Sequence, residues 1–226
     1  VIDMTAIAID GPAGAGKSTV ARNVAKELGF IYVDTGALYR AIGLFAACGG
    51  IDVTDEAALG PRLSEVAVEL RYQAGEQRIL LNGEDVSEAI RSPEISLAAS
   101  QVSALGSVRA FLLQLQRDMA ERCNVIMDGR DIGTVVLPDA QIKIYLTASP
   151  EARARRRCDE YLAKGEKVQY NKVLEDMRQR DHDDSHREIA PLRQAEDAVL
   201  LDTSDCATVQ QSIALVRDFL RKRGIG

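Results

Sequence analysis

The feature that most constrains this chain is the stretch AIAIDGPAGAGKSTVARNVAKEL, residues 6–28. Ala6 to Asp10 is a short apolar run that reads as a buried strand. Gly11-Pro12-Ala13-Gly14-Ala15-Gly16-Lys17-Ser18 then satisfies every fixed position of G-x-x-x-x-G-K-[ST]. Val20, Val24 and Leu28 follow at helical spacing, with Ala21 and Ala25 beside them. Strand, glycine loop and helix are the context that this motif requires. The glycines let successive backbone N–H groups curl inward around phosphate oxygens, and the helix start adds the positive end of its dipole. Gly11, Pro12, Ala13, Gly14, Ala15, Gly16, Lys17, Ser18 and Thr19 are therefore candidate nucleoside-triphosphate contacts. Lys17 can reach the β- and γ-phosphates, and the Ser18 hydroxyl can ligate Mg²⁺.

The rest of the chain repeats the strand-then-helix rhythm. Strand-like runs fall at 6–10, 31–34, 125–128, 143–147 and 198–202, and helical patterns at 17–28, 37–47, 108–122, 151–163 and 207–221. Such alternation predicts an α/β fold with a parallel five-stranded sheet flanked by helices. Ligands of such sheets bind at the carboxyl ends of the strands, where Asp10, Asp34 and Asp128 stand. One segment departs from the rhythm. VAVELRY and QRILLNGEDV surround Ala74, Gly75 and Glu76, a pattern that predicts an antiparallel hairpin in a lobe inserted between about 52 and 103.

A net charge of −6 argues against a general nucleic-acid binder, which needs a basic face. No apolar run approaches membrane-span length and no secretory signal is visible, so the expectation is a cytoplasmic protein without membrane or nucleic-acid partners. Cys48, Cys123, Cys158 and Cys206 form no C-x-x-C pair and read as reduced thiols. Val1, Ile2 and Asp3 precede Met4 and are set aside.

In an acidic chain, clustered arginines need a reason. Arg40 lies in VDTGALYR, and Arg130 lies between Asp128 and Asp131. Arg153, Arg155, Arg156 and Arg157 run toward Arg178, Arg180 and Arg187. A solvated helix face with i,i+4 ion pairs is one reading, and Glu151–Arg155 has that spacing. A phosphate acceptor is the other. Two unit charges about 4 Å apart at an effective dielectric near 20 repel by about 4 kcal/mol. Forked guanidiniums spread that load across phosphate oxygens. A phosphate monoester is mostly a dianion at pH 7, so its oxygen is already a nucleophile and needs positioning rather than a base. A hydroxyl acceptor would instead want a carboxylate base, for which Asp34 or Asp128 could serve. The charged segment 178–187 suits a lid that brings arginines over the triphosphate and excludes water.

Taken together, AIDGPAGAGKST, VDTGALYR, LNGEDVSEAIRSPEIS, ASQVSALGSVR, MDGRDIGTVVLPDA and RDHDDSHR resemble the bacterial cytidylate kinases, and the likeness runs through nearly the whole chain. The resemblance implies a P-loop nucleoside monophosphate kinase fold with a small β lobe and a helical lid. It implies a core from 1–34, 104–150 and 190–226, a monophosphate lobe at 35–103 with its β insert at about 64–90, and a lid at 151–189. It implies transfer of the γ-phosphoryl of ATP, with Mg²⁺, to CMP or dCMP; a monomer is expected. Ser100, Arg109 and Asp131 would read the cytosine, Arg180 and Asp184 would hold the ribose, and Thr35, Arg40, Arg130 and Arg187 would bind the CMP phosphate. Lys17, Asp128, Arg130, Arg157 and Arg187 are the expected catalytic set. Related chains often carry Ser where this one has Thr35, and their lids can carry Arg where this one has Asp183. Arg153, Arg157 and Arg178 all remain candidates for the lid arginine that meets the transferring phosphoryl.

Two other readings stay open beside this one: a kinase for another monophosphate or a small hydroxyl metabolite, and a regulatory ATP- or GTP-binding module. His182 and His186 are spaced like a zinc pair, but Asp183 replaces the Glu of H-E-x-x-H, and an exposed charged lid is the reading preferred. Asn171-Lys172 is not followed by the Asp of a guanine-reading N-K-x-D motif, since Leu174 stands there. Tyr32, Tyr39, Tyr145, Tyr161 and Tyr170 are read as packing residues.

Overall fold

A computed structural model describes residues 4–73 and 76–225. Its strands are β1 (Ala6–Asp10), β2 (Ile31–Asp34), β3 (Val68–Gln73), β4 (Glu76–Leu81), β5 (Glu84–Asp85), β6 (Val125–Gly129), β7 (Ile142–Thr147) and β8 (Val199–Asp202). The α-helices are α1 (Lys17–Leu28), α2 (Thr35–Cys48), α3 (Glu56–Arg62), α4 (Pro93–Val102), α5 (Gly106–Arg122), α6 (Pro150–Ala163), α7 (Tyr170–His186) and α8 (Val209–Lys222). The chain forms two compact units. Residues up to Tyr32 and from Cys123 onward make one, and Val33–Arg122 makes the other.

The larger sheet is five-stranded, in the order β2-β6-β1-β7-β8. β1 lies parallel to β6 and to β7, and β7 lies parallel to β8. A parallel strand between two neighbours is covered on both faces, which is why β1 is apolar rather than alternating and is buried throughout. In the first unit Ile7, Ile9, Ile126, Ile144 and Leu146 form one core with Val20 and Val24 of α1 and Ile213, Val216 and Leu220 of α8. Each such side chain contributes about 1.5–3 kcal/mol on burial. Residues 213, 216 and 220 recur at helical spacing, so α8 presents a single apolar stripe, and a Thr208–Gln211 capping box sets its start. A smaller cluster of Ala154, Val173 and Met177 joins α6 to α7.

The second unit packs Leu38 and Ile42 of α2 against Leu59, Val102, Val108 and Leu112. Its three-stranded sheet has the order β3-β4-β5, with antiparallel pairings. The expected hairpin is therefore present with one further short strand, while its turn at Ala74 and Gly75 lies outside the described residues. The expected core segment 104–150 is divided by the compact units. α5 groups with α2 because Val108 and Leu112 share its apolar cluster. Among the described residues, no single helix is long and apolar enough to cross a membrane.

Candidate functional site

The glycine loop joins β1 to α1, as expected. A Cβ on Gly11 would fall onto the Leu146 carbonyl of β7, so the loop can leave the sheet here only without a side chain. Gly16 caps α1 in the left-handed region, at φ 86°. Lys17 opens the helix with 5% exposure, and its Nζ donates to the Pro12 carbonyl at 2.8 Å. Burial, and then the nearby Arg130, pushes the ammonium down to about 7, against the pull of Asp128, Asp10 and Asp184. A lysine held this way gains most when a polyanion arrives.

Asp128, near the end of β6, is the hub of a short polar chain. Its Oδ2 accepts from Ser18 Oγ and its Oδ1 accepts from the Tyr32 hydroxyl, each at 2.8 Å. Tyr32 was expected only to pack; it also holds this carboxylate. The motif could place Ser18, but no sequence pattern pairs Tyr32 with a residue 96 positions away.

The segment after β6 is a single wide π-helical turn, Ile132–Val136. Just before it, Arg130 Nε donates to Asp184 Oδ2 at 2.8 Å, and Arg187 reaches Asp131 at 3.4 Å. Burial alone would raise the Asp184 carboxyl, but Arg130, with Arg180 and Arg187, holds it below its ordinary value. Five residues that the family resemblance placed around one nucleotide, Arg130, Asp131, Arg180, Asp184 and Arg187, thus interact within the first unit. Asp10, from sequence only a strand end, has a second role here. It is 4% exposed and accepts from the backbone N–H groups of Ile132 and Gly133 at 2.8 and 2.7 Å.

The arginine run on α6 divides by role. Arg153 is buried and grips Asp181 of α7 with two bonds, while also donating to the carbonyls of Ala148 and Ala13. Arg156 binds the Thr203 carbonyl. Arg157 is half exposed, pairs with Glu160 at 2.9 Å and lies over the Tyr161 ring. The pair allowed by the Glu151–Arg155 spacing is not the one Glu151 makes: it meets Arg178 of α7 at 2.6 Å, because α6 and α7 lie side by side. The segment 178–187, read from sequence as charged and poor in apolar residues, is the second half of α7, followed by Arg187. The helix gains its packed stripe from Val173 and Met177, one turn apart. His182 and His186 stack at 4.0 Å on this helix, and no cluster of three candidate metal ligands occurs among the described residues.

Beside Pro12, at the carboxyl ends of β7 and β8, lies an open cavity of about 380 Å³ lined in part by Tyr145, Thr147, Arg153, Asp181 and Ser204.

The remaining predicted residues belong to the second unit. Asp34 caps α2 through the Ala37 N–H at 3.0 Å and pairs with Arg40 at 2.8 Å. Both bonds occupy the carboxylate that was weighed as a base. Thr35 is buried at the first position of α2. Arg40 Nε is buried with no partner among the described residues, a donor in want of an acceptor. Arg109 is buried, donates to the Ser103 carbonyl at 3.1 Å and lies over the Tyr39 ring. Ser100 stands on α4, half exposed.

A glycine-lysine loop at the carboxyl end of a central parallel strand, with a carboxylate from the next strand bonded to its serine, defines a P-loop protein. The fold agrees with that of a gluconokinase from Sinorhizobium meliloti, at a TM-score of 0.50 and 14% identity, over 97% of this chain and 93% of that one. The family profile described as cytidylate kinase matches residues 7–221, and the chain belongs to that family. A cytidylate kinase of Lactobacillus gasseri is 48% identical over 217 residues, covering 96% of this chain and 94% of the relative. One from Caldanaerobacter subterraneus is 52% identical over 220 residues, covering 97% and 96%.

Proposed function

We propose that this chain transfers the γ-phosphoryl group of ATP, directly and in line, to the phosphate of CMP or dCMP, giving ADP and CDP or dCDP. Near-half identity to cytidylate kinases over almost the whole chain carries the reading. The chemistry of the site agrees with it. Neither carboxylate weighed as a base is idle: Asp128 accepts from Ser18 and Tyr32, and Asp34 is engaged by Ala37 and Arg40. An acceptor that is already an anion needs no base, only neutralisation and alignment.

The donor phosphates lie along Gly11–Thr19 in this reading, with the Lys17 ammonium on the β- and γ-oxygens. The cavity beside Pro12 suits the donor nucleoside. Mg²⁺ takes oxygen ligands, and the Ser18 hydroxyl beside the Asp128 carboxylate suits it. When bound there it would neutralise charge on the transferring phosphoryl. Arg130, Arg157 and Arg187 supply further positive charge, and residues 151–189 act as the lid that excludes water. In the first unit Asp131 reads the cytosine, Arg180 and Asp184 hold the ribose, and Arg130 and Arg187 bind the CMP phosphate. In the second unit Ser100 and Arg109 read the base, and Thr35 and Arg40 bind the phosphate. The unsatisfied Arg40 Nε supports that last assignment. The enzyme works as a cytoplasmic monomer.

A coupled ADP-release assay with Mg²⁺-ATP and single acceptors tests the reading. Turnover is expected with CMP and dCMP and little with UMP, dTMP, AMP, GMP or no acceptor. Equal turnover in every well, the empty one included, overturns it.

A further inference from the structure

The turn Ile132–Val136 begins as a helix does, with backbone N–H groups that its own ladder cannot use. The residue placed to cap it is Asp131, a residue type that caps well. The Asp131 carbonyl accepts from the Val135 and Val136 N–H groups, but among the described residues its side chain makes no cap bond. The bonds come instead from Asp10, on a neighbouring strand 122 positions away, with one carboxylate oxygen on each of the Ile132 and Gly133 N–H groups. Asp131 is turned toward Arg187.

We infer that Asp10 is a positioning residue for acceptor recognition: it caps the turn in place of Asp131 and so keeps the Asp131 carboxylate, with Arg130 before it, aimed at the nucleotide. The inference rests on the proposed function. Three observations carry it. Asp10 ends the strand that runs straight into the glycine loop, and its Cα partner across the sheet is Gly129, the residue before Arg130. It therefore ties the donor loop and the acceptor turn to one register. The carboxylate is buried, so no water substitutes for it. Space at Gly133 is also closed on that side. A Cβ there would meet Lys143 Cδ at 3.1 Å and Asp10 Oδ2 at 3.4 Å, so the turn sits directly against the carboxylate.

Two variants perturb the contact from its two sides. Asp10→Asn keeps the shape but offers one acceptor oxygen where two N–H groups need one each. Gly133→Ala places a methyl 3.1 Å from Lys143 Cδ and against the carboxylate at 3.4 Å, so it crowds the capped turn from the side of Lys143. Each is measured by thermal melting, by calorimetric titration with CMP and separately with ATP, and by the amide proton shifts of residues 132 and 133. The expectation is CMP affinity weaker by about tenfold or more, the order set by one unsatisfied buried donor. ATP affinity should fall by less than CMP affinity does, the melting temperature should leave the protein folded at assay temperature, and the two amide signals should move. The double variant should be no worse than the more affected single one. Unchanged CMP affinity despite shifted amide signals overturns the inference, because the cap would then be dispensable for recognition. Equal loss of CMP and ATP affinity also overturns it, making Asp10 a general structural residue. Failure of the wild-type protein to bind CMP would overturn the proposed function and this inference with it, an outcome separate from the other two.

Discussion

Arg153 is where the arginine run on α6 can be divided into structure and catalysis. It is 2% exposed. Its Nε and terminal nitrogens make four bonds: to the Ala148 carbonyl at 2.8 Å, to the Ala13 carbonyl at 2.9 Å, and to the two oxygens of Asp181 at 3.0 and 2.5 Å. A guanidinium with four of its five N–H groups committed is a strut, holding the glycine loop, the start of α6 and α7 together. Arg153→Met keeps the stem and removes every bond. Breaking a buried pair by removing one partner costs about 3–5 kcal/mol. Asp181 stays 25% exposed and recovers some hydration, which favours the lower end, about 3 kcal/mol. For a chain of this length that is a fall in melting temperature of roughly 6–12 °C. Arg153→Lys keeps the charge without the fork and should fall between the two. The check is a thermal melt of each variant beside steady-state kinetics well below the melt, where kcat should drop by less than about tenfold. An unchanged melt with kcat lower by about 10³ would refute the strut, because that is the signature of an arginine that meets the transferring phosphoryl.

Other perturbations separate the remaining roles. Lys17→Ala should lower turnover by at least about a hundredfold with the fold intact. Because burial pushes the Lys17 ammonium down to about 7 and a polyphosphate restores its charge, ATP binding at about pH 8 should take up a proton, seen as buffer-dependent heat that is absent in the variant. Burial likewise pushes the Asp10 carboxyl up from 3.8 to about 6, against the Gly133 and Ile132 N–H bonds. A raised acid stabilises the fold below its unfolded value and loses that contribution as pH rises through about 6. Relative to Asp10→Asn, the wild type should therefore lose about 2 kcal/mol between pH 4 and pH 7, and parallel urea-melt curves would contradict this. Arg109→Ala should weaken CMP binding by about tenfold or more and leave ATP binding nearly unchanged; equal losses would make Arg109 a structural residue.

How far the sequence carries depends on whether the information is local. The five strands of the main sheet lie where the apolar runs put them, and the glycine loop can be read residue by residue, because spacing over fewer than ten residues sets both. α7 is harder: Val173 and Met177 form a narrow stripe in a segment dominated by charge, and it packs only because α6 supplies Ala154 and Tyr161 opposite. The arginines show the limit most clearly. Arg153, Arg156 and Arg157 look alike in the sequence, yet one is a buried strut, one holds the loop after β8 and one rests on a tyrosine ring. Their roles are decided by what lies opposite each on the helix surface, and those partners stand 3 to 140 positions away. The roles of Asp10, legible only as a strand end, and of Tyr32, legible only as a packing residue, are hidden for the same reason. Each sits in a strand that reads as plain core, and each acts on a turn or carboxylate near 130 that only the order of the strands brings alongside. The residues that touch phosphate are thus announced by a motif, while those that hold them in register are fixed by topology, so mutational scans guided by motifs alone would pass over both Asp10 and Tyr32.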